Sequence, residues 1–142
     1  MKYKKKWEFK KIVLPQHTDH AGVMWHGAYL NWLEESRMEA LSESGMKYED
    51  LIKKGYDLPV INLQIKYKSP IRLGEEINIH TLFKTNKGPK IIVESSFMNV
   101  ENITVTNVIT TIVLIETENF KIVRNKPRYL SKYFENLDHG DY

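Results

Sequence analysis

A single long helical pattern followed by a strand-rich remainder constrains the fold of this chain more than any other sequence feature. Over residues 28–44, apolar residues recur at spacings of three and four, which places them in one stripe on a helix. The stripe consists of Tyr29, Leu30, Leu33, Ala40 and Leu41. Gly45 is a typical end, because helices often finish in a left-handed residue that glycine adopts freely. We therefore predict a helix over residues 28–44.

Alternating apolar and polar residues indicate strands on both sides of that helix. Residues 7–14 precede it, and the alternation returns over residues 63–67, 77–84, 91–97, 105–115 and 121–123. A period of two is typical of a half-buried strand. The turns between the later segments are short, as at residues 86–89 and at Asn102, so consecutive strands should be antiparallel neighbours.

The remaining helical signals are short. We predict a second helix near residues 48–54 and a closing helical turn over residues 127–134. The helix over residues 28–44 is then the only large cover for the apolar face of the sheet. We therefore predict one α+β domain over residues 1–142, with an antiparallel sheet of five or six strands curled around one long helix.

The composition excludes several classes of protein. The chain has 142 residues, of which 42% are hydrophobic and 27% charged, as in a globular domain. It has no cysteine, which excludes disulfides, thiolate metal sites and a cysteine nucleophile. No apolar run approaches the roughly 20 residues that span a bilayer, and no secretory signal pattern follows Met1. We expect a cytoplasmic protein.

Lysines near the start supply much of the net charge of +3. They are Lys2, Lys4, Lys5, Lys6, Lys10 and Lys11. A basic cluster can attract nucleic acid, an anionic membrane or a phosphorylated ligand. A solvated, frayed terminus is the simpler explanation, and the interleaved pattern of a nucleic-acid module is absent. We expect no nucleic-acid and no membrane partner.

The densest cluster of reactive side chains lies in the turn that leads into the predicted helix. It comprises His17, Thr18, Asp19, His20 and His26. The first amides of a helix lack internal acceptors and lie at the positive end of its dipole, so they can bind an anion or a developing oxyanion. Asp19 is a candidate nucleophile or general base beside them. Gly22 would allow the tight turn that this arrangement needs.

Each of these residues also has a simpler explanation. Asp19 is typical of a turn or a helix cap, and the three histidines form only a weak metal-site pattern. The aromatic residues Trp25, Tyr29 and Trp32 can line an acyl pocket, although such residues more often belong to a core or a dimer contact. Arg37 falls within the apolar stripe, where a guanidinium needs a partner, and a structural ion pair or a snorkelling side chain is favoured over catalysis.

The stretch from Thr18 to Leu30, followed by Glu34 and Arg37, resembles the signature of the 4-hydroxybenzoyl-CoA thioesterase family. The family pattern is Thr-Asp-x-x-Gly-Val-x-x-His-x-x-Tyr-Leu, then Glu-x-x-Arg on the helix. The chain is most similar to the branch of short bacterial acyl-CoA thioesterases that includes the Tol-Pal-associated enzymes. Residues 65–75 resemble the second block of the family, so the resemblance covers roughly residues 7–130.

This resemblance implies a hotdog fold that pairs into homodimers, and in many members into homotetramers, with sites at the subunit interface. It implies hydrolysis of an acyl thioester carried on coenzyme A or on acyl carrier protein. Asp19 matches the catalytic carboxylate, the amide near His26 would polarise the carbonyl, and His26 itself would assist. The implied substrate-binding residues are Gly22, Val23, Trp25 and Tyr29. No metal or cofactor is implied, because a thiolate is already an adequate leaving group.

The chain departs from the branch at two positions of the substrate mouth, which leaves the acyl group open. Pro15 replaces a common aromatic residue, and His20 replaces a common small one. Two other functions remain open. A hotdog hydratase or dehydratase usually has a shorter spacing than the seven residues between Asp19 and His26. A non-catalytic acyl-binding domain would be expected to lack the carboxylate. Whether Asp19 acts as nucleophile or base is also left open.

Overall fold

The computed structural model describes residues 7–85 and 88–139. The helices are α1 (His26–Glu43), α2 (Tyr48–Lys53) and α3 (Arg128–His139). The strands are β1 (Trp7–Ile12), β2 (Tyr56–Asp57), β3 (Val60–Tyr67), β4 (Glu76–Thr85), β5 (Lys90–Met98), β6 (Thr104–Val113), β7 (Ile115–Glu116) and β8 (Lys121–Ile122). The predicted turn at residues 86 and 87 and the first lysines of the chain lie outside the described residues.

The main sheet has five antiparallel strands in the order β1-β4-β5-β6-β3. One face of β4, β5 and β6 is buried, as in β4, where Ile77, Ile79 and Phe83 are at most 1% exposed. A second, three-stranded sheet in the order β2-β7-β8 extends one end of the molecule. The predicted α+β architecture with an antiparallel sheet around a long helix is therefore confirmed.

Helix α1 begins two residues earlier than predicted, and four residues of the predicted stripe are buried: Tyr29, Leu33, Ala40 and Leu41. Ala28, Trp32 and Ser36 lie against the sheet, whereas Leu30 of the predicted stripe is 41% exposed. The prediction was wrong for Leu30 because the apolar face of α1 is wider than the part that its own sheet covers. Gly45 follows the helix at φ +119, a conformation that favours glycine.

A second helix, α3, also covers the sheet, so the expectation of a single cover was wrong. It extends five residues beyond the predicted turn and packs against β4 through an amphipathic face. Its inward side chains Leu130, Phe134 and Leu137 are at most 1% exposed. The spacing of four and three residues places them in one stripe, which adds to the burial that stabilises this end.

The core therefore divides between two ends of the molecule. At the closed end, α2, α3 and the last part of α1 pack on Phe83, Val93 and Ile112. At the site end, the first half of α1 packs on Ile77, Ile79, Phe97 and Val108, and loops rather than helices complete the cover. The closed end and the site end keep these names below.

Strand β3 forms one edge of the main sheet and is paired only with β6 among the described residues. Seven of its eight residues are exposed, and the apolar ones include Val60, Ile61, Leu63 and Tyr67. An edge that presents both free backbone groups and apolar side chains is a template for pairing with another chain. No helix of the described residues is long and apolar enough to span a membrane.

Candidate active site

Asp19 lies in a five-residue turn between β1 and α1, with its side chain exposed to solvent. Its Oδ1 accepts hydrogen bonds from the amides of Ala21 at 2.8 Å and Val23 at 3.4 Å. The Asp19 amide donates to the Val23 carbonyl, and Gly22 closes the turn at φ +77, which explains why glycine occurs there. Oδ1 therefore holds the turn, while Oδ2 has no partner among the described residues and is available for chemistry.

The Asp19 turn is fixed against the segment that joins β3 to β4. Met24 donates to the Ile71 carbonyl at 2.7 Å, and Leu73 donates to the Gly22 carbonyl at 3.3 Å. Bridges join Thr18 to Met24 and Val23 to Arg72. The two sequence blocks that resemble the thioesterase family thus lie side by side, although they are about 50 residues apart in the chain.

The start of α1 offers free backbone donors next to this turn. The amide of Ala28 donates to the Trp25 carbonyl, but those of His26 and Gly27 have no acceptor among the described residues. Such amides lie at the positive end of the helix dipole and favour a negative oxygen. The predicted amide at His26 is therefore unoccupied by other bonds, as an oxyanion donor must be.

Trp25 and His26 form an exposed aromatic pair at the helix start. Their ring centroids are 5.7 Å apart in an edge-to-face arrangement. A Cβ placed on Gly27 would overlap the indole of Trp25, so the ring lies directly over that glycine. Gly27 was missed by the sequence analysis, and only its spacing of five from Gly22 hints at a role. It lets the Trp25 ring lie over the first turn of α1.

A cavity of about 280 Å³ opens between the turn and the end of β3. It is lined by Val23, Met24, Tyr29, Tyr67, Lys68, Ser69 and Pro70. The Tyr29 ring is 2% exposed and meets the Tyr67 ring edge-on at 5.0 Å. Burial raises the pKa of Tyr29, so its hydroxyl stays protonated at neutral pH. The predicted residues Val23 and Tyr29 therefore share one cavity, and Tyr67 was missed as its third wall.

A larger depression of about 620 Å³ lies on the other side of the turn, but its chemistry differs. It includes Asn31, Glu34 and Glu35 of α1, and two carboxylates disfavour an apolar acyl chain. Glu35 also pairs with Lys11 of β1 at 3.2 Å, which fixes the helix to the sheet. The smaller cavity beside Tyr29 therefore suits an acyl group better.

His17 has a structural role that the sequence did not reveal. The Leu14 amide donates to its Nδ1 at 2.9 Å, and the ring is 7% exposed. On the other side of the ring, the side-chain nitrogen of Gln16 lies 3.3 Å from Nε2. The Trp32 indole nitrogen, 3.4 Å from Nε2, then packs edge-on against the ring. The His17 carbonyl accepts from Trp25, so this residue joins β1 to the start of α1.

Neither the histidine cluster nor Arg37 forms a metal site among the described residues. Within residues 7–85 and 88–139, no group of three or more His, Asp or Glu side chains is arranged to hold a metal ion. Arg37 is half-buried on the flank of α1, where burial lowers its pKa and the neighbouring Glu34 opposes that shift. The carboxylate that acts on Arg37 is thus one turn away on the same helix.

Residues 13–128, most of the chain, match the sequence model of the Thioesterase-like superfamily. The chain is a member of that superfamily. It is similar to "Putative esterase sll0410" of Synechocystis, with 51% identity over 49% of this chain and 43% of the relative. It is also similar to the acyl-CoA thioester hydrolase YbgC of Escherichia coli, with 24% identity over 82% of this chain and 84% of YbgC.

The chain spans about half the length of the curated relatives that match it at 51% and 36% identity. Among solved structures, it resembles a DHNA-CoA thioesterase from Staphylococcus aureus. The TM-score is 0.81 at 25% identity, covering 92% of this chain and 89% of the other. The predicted thioesterase family and the predicted hotdog fold are therefore confirmed.

Proposed function

We propose that this protein hydrolyses an acyl-CoA thioester to a free acid and a thiol, with Asp19 as the catalytic carboxylate. One observation carries the proposal: Oδ2 of Asp19 is unpaired among the described residues, in a turn that ends three residues before the equally unpaired amides of His26 and Gly27. Family membership and the names of the relatives support the reaction class.

The arrangement suits acyl transfer to water. The thioester oxygen would accept from the His26 or Gly27 amide, which stabilises the negative charge as the carbonyl carbon becomes tetrahedral. Asp19 Oδ2 would either attack that carbon, forming an anhydride that water then hydrolyses, or take a proton from the attacking water. In both routes the carbon–sulfur bond breaks and the thiol leaves. The His26 ring, beside Trp25, would face the leaving group.

The cavity beside Tyr29 would hold the acyl group. Its walls are the rings of Tyr29 and Tyr67 with Val23, and Lys68 lies at its rim. Trp25 would cover the pantetheine arm at the helix start. The reaction needs no cofactor, and a CoA thioester as substrate favours a cytoplasmic location. Acyl carrier protein remains the alternative carrier.

The open edge of β3 supports a homodimer. Antiparallel pairing of two β3 strands would complete the backbone hydrogen bonds and bury Leu63 and Leu30. Such pairing brings the Val60 end of one copy beside the Tyr67 end of the other. Each cavity would then gain a wall from the second copy, and further pairing into a tetramer would use the outer face of the sheet.

The test of the reaction is thiol release from short, medium, long and aromatic acyl-CoAs by wild type and Asp19→Asn. The amide oxygen can still accept from Ala21 and Val23, so the turn persists while the carboxylate is lost. We expect turnover to fall by about 10²–10⁴-fold with an unchanged melting temperature. Glu101→Gln, on the exposed β5–β6 hairpin, is the matched control and should retain full activity.

Three outcomes separate the alternatives. Unchanged thiol release by Asp19→Asn would remove Asp19 from catalysis. Turnover of acyl carrier protein thioesters, without turnover of acyl-CoA, would show that the carrier is acyl carrier protein and not CoA. Tight acyl-CoA binding by wild type without release from either carrier would indicate the non-catalytic binding domain.

The dimer is tested separately by the mass in solution. Leu63→Glu should give a monomer with reduced turnover, because a charge at the β3 edge opposes pairing. Ile109→Glu, an equally exposed apolar residue on the opposite face of the neighbouring strand, should remain dimeric. A monomeric wild type would contradict the proposal.

A further inference from the structure

The hairpin that joins β7 to β8 carries the most exposed aromatic residue among the described residues. Phe120 is 73% exposed, and all seven residues from Glu116 to Ile122 are exposed. The hairpin is therefore exposed along its whole length at the closed end of the molecule. Its base is fixed, because Thr117 donates to the Gly55 carbonyl at 2.9 Å and β7 pairs with β2.

Phe120 occupies a backbone conformation that does not suit it. Its φ is +58, in the left-handed region where a bulky L-residue is an outlier. The β5–β6 hairpin has the same feature at Asn102, with φ +61, but asparagine is a residue that tolerates this region. Glycine or asparagine would adopt the backbone conformation at position 120 of the β7–β8 hairpin more readily than phenylalanine does. The side chain therefore has a use that outweighs the local preference.

Other exposed apolar groups lie around the tip. Ile122 of β8 is 45% exposed, and Tyr129 at the start of α3 is 46% exposed. The Nζ of Lys54 lies 5.2 Å from the centre of the Tyr129 ring, which connects this group to the end of α2. Scattered apolar residues are ordinary on a surface, but three exposed ones at the same end of the molecule form a patch.

The same end is basic. Residues 116–132 contain five lysines or arginines and two glutamates, and one of these, Glu116, lies opposite Lys121 in the β7–β8 pair. Arg124 and Arg128 are exposed on either side of the turn into α3, and Lys53 lies in the last turn of α2. Lys126 is directed inward instead, over the Phe134 ring, and burial lowers its pKa.

We propose that this basic–aromatic end docks on an anionic lipid surface. Phe120, Ile122 and Tyr129 would enter the boundary between headgroups and acyl chains, while Arg124, Arg128 and the lysines attract anionic headgroups. A basic end whose largest exposed side chain is aromatic suits an anionic lipid surface, which attracts the charges and accepts the ring. The expectation of no membrane partner rested on the lack of an apolar run that spans a bilayer and on the lysines near the start of the chain. It did not extend to the surface formed by the β7–β8 hairpin.

The position of the patch is compatible with the proposed dimer. In the order β2-β7-β8, the hairpin edge β8 is opposite to β2, whose chain leads into β3. The patch and the proposed dimer edge therefore belong to different sheets. Its binding does not depend on thioester hydrolysis and can be measured without substrate.

The test is co-sedimentation of the full chain with vesicles of phosphatidylcholine, with and without phosphatidylglycerol. Wild type should bind the anionic vesicles and release at high salt. Phe120→Gly should weaken binding by about tenfold or more, because one buried aromatic side chain is lost. Its melting temperature should stay the same or rise, since glycine adopts the left-handed region freely.

Val100→Ser is the matched control, because Val100 is 72% exposed on the β5–β6 hairpin, outside the basic–aromatic end. It should bind vesicles as wild type does. Arg124→Glu with Arg128→Glu should abolish binding. Equal partitioning of wild type and Phe120→Gly would overturn the proposal, whether both bind or neither does. Loss of turnover in Phe120→Gly with unchanged vesicle binding would assign Phe120 to the enzyme assembly instead.

Discussion

The closed end and the site end are built on the same sheet and the same helix, yet they are held together differently. At the closed end, side chains of α3 reach distant backbone groups: Tyr133 donates to the Leu41 and Met46 carbonyls, and Asp138 accepts from Thr85. At the site end, backbone amides and carbonyls of two loops bond to each other, and Oδ2 of Asp19 has no partner among the described residues. The contacts that stabilise the fold are thus concentrated at the closed end, and the groups proposed to react lie at the site end.

This comparison predicts that changes at the closed end alter stability and changes at the site end alter activity. Leu137→Ala should show the largest stability effect. Leu137 is fully buried in the closed-end cluster, so its truncation should cost about 2–5 kcal/mol of unfolding free energy. Urea unfolding measures this. Turnover per folded molecule should stay at the wild-type value, and a parallel fall in turnover would break the comparison.

Tyr133→Phe is expected to have the next largest effect. The hydroxyl lies 2.9 Å from the Met46 carbonyl and 3.2 Å from the Leu41 carbonyl, and its loss leaves both acceptors with fewer partners in a buried place. The cost should be about 1–2 kcal/mol, seen as a lower urea midpoint. Tyr129→Phe, on an exposed neighbour, is the control and should leave the midpoint within error.

Gly27→Ala tests the site end. The new methyl group would displace the Trp25 ring from the helix start, and we expect roughly a tenfold loss in kcat/KM through misplaced substrate. Stability should not fall, because alanine favours a helix more than glycine does. The Trp25 environment can be followed by fluorescence in the presence of a non-hydrolysable acyl-CoA analogue. A large loss of stability would contradict the division between the two ends.

The smallest expected effect is on the stability of the protein at alkaline pH. Burial and the hydrogen bond to Asp57 raise the pKa of Tyr48 from 10.0 to about 12. The unfolded chain therefore loses this proton near pH 10 while the folded protein keeps it, so stability should decline between pH 10 and 12. Tyr48→Phe removes that ionisation, and its stability curve should approach the wild-type curve as the pH rises. Parallel curves across that range would show that Tyr48 does not contribute.

The sequence predicted the elements well where the pattern was local. The period of α1 and the alternation of β4 and β5 depend on neighbours in the chain. The extent of α3 was missed, although Leu130, Phe134 and Leu137 continue the helical spacing beyond the predicted end. The exposure of Leu30 was not predictable, because it depends on which part of α1 the sheet covers.

The candidate site shows the same limit. The family signature led to Asp19 and His26, and the structure shows Asp19 in a turn that precedes the start of α1, where the amides of His26 and Gly27 have no acceptor among the described residues. The pairing of that turn with residues 71–73 brings together segments far apart in sequence, which periodicity cannot show. His17 resembles its neighbouring histidines in the sequence, and only its bond from Leu14 distinguishes it. The catalytic roles of Asp19 and His26 stay predictions until the variants are measured.

The contact between Trp7 and Leu137 has a consequence for the order of folding. The Trp7 indole donates to the Leu137 carbonyl at 2.9 Å, so the first strand of the main sheet and the last helix close on each other. On the ribosome, the site end can assemble once β6 has emerged, whereas the closed end must wait for α3. Until then, Phe83 and Ile112 lack their cover, and the nascent chain passes through a stage in which a chaperone would recognise it.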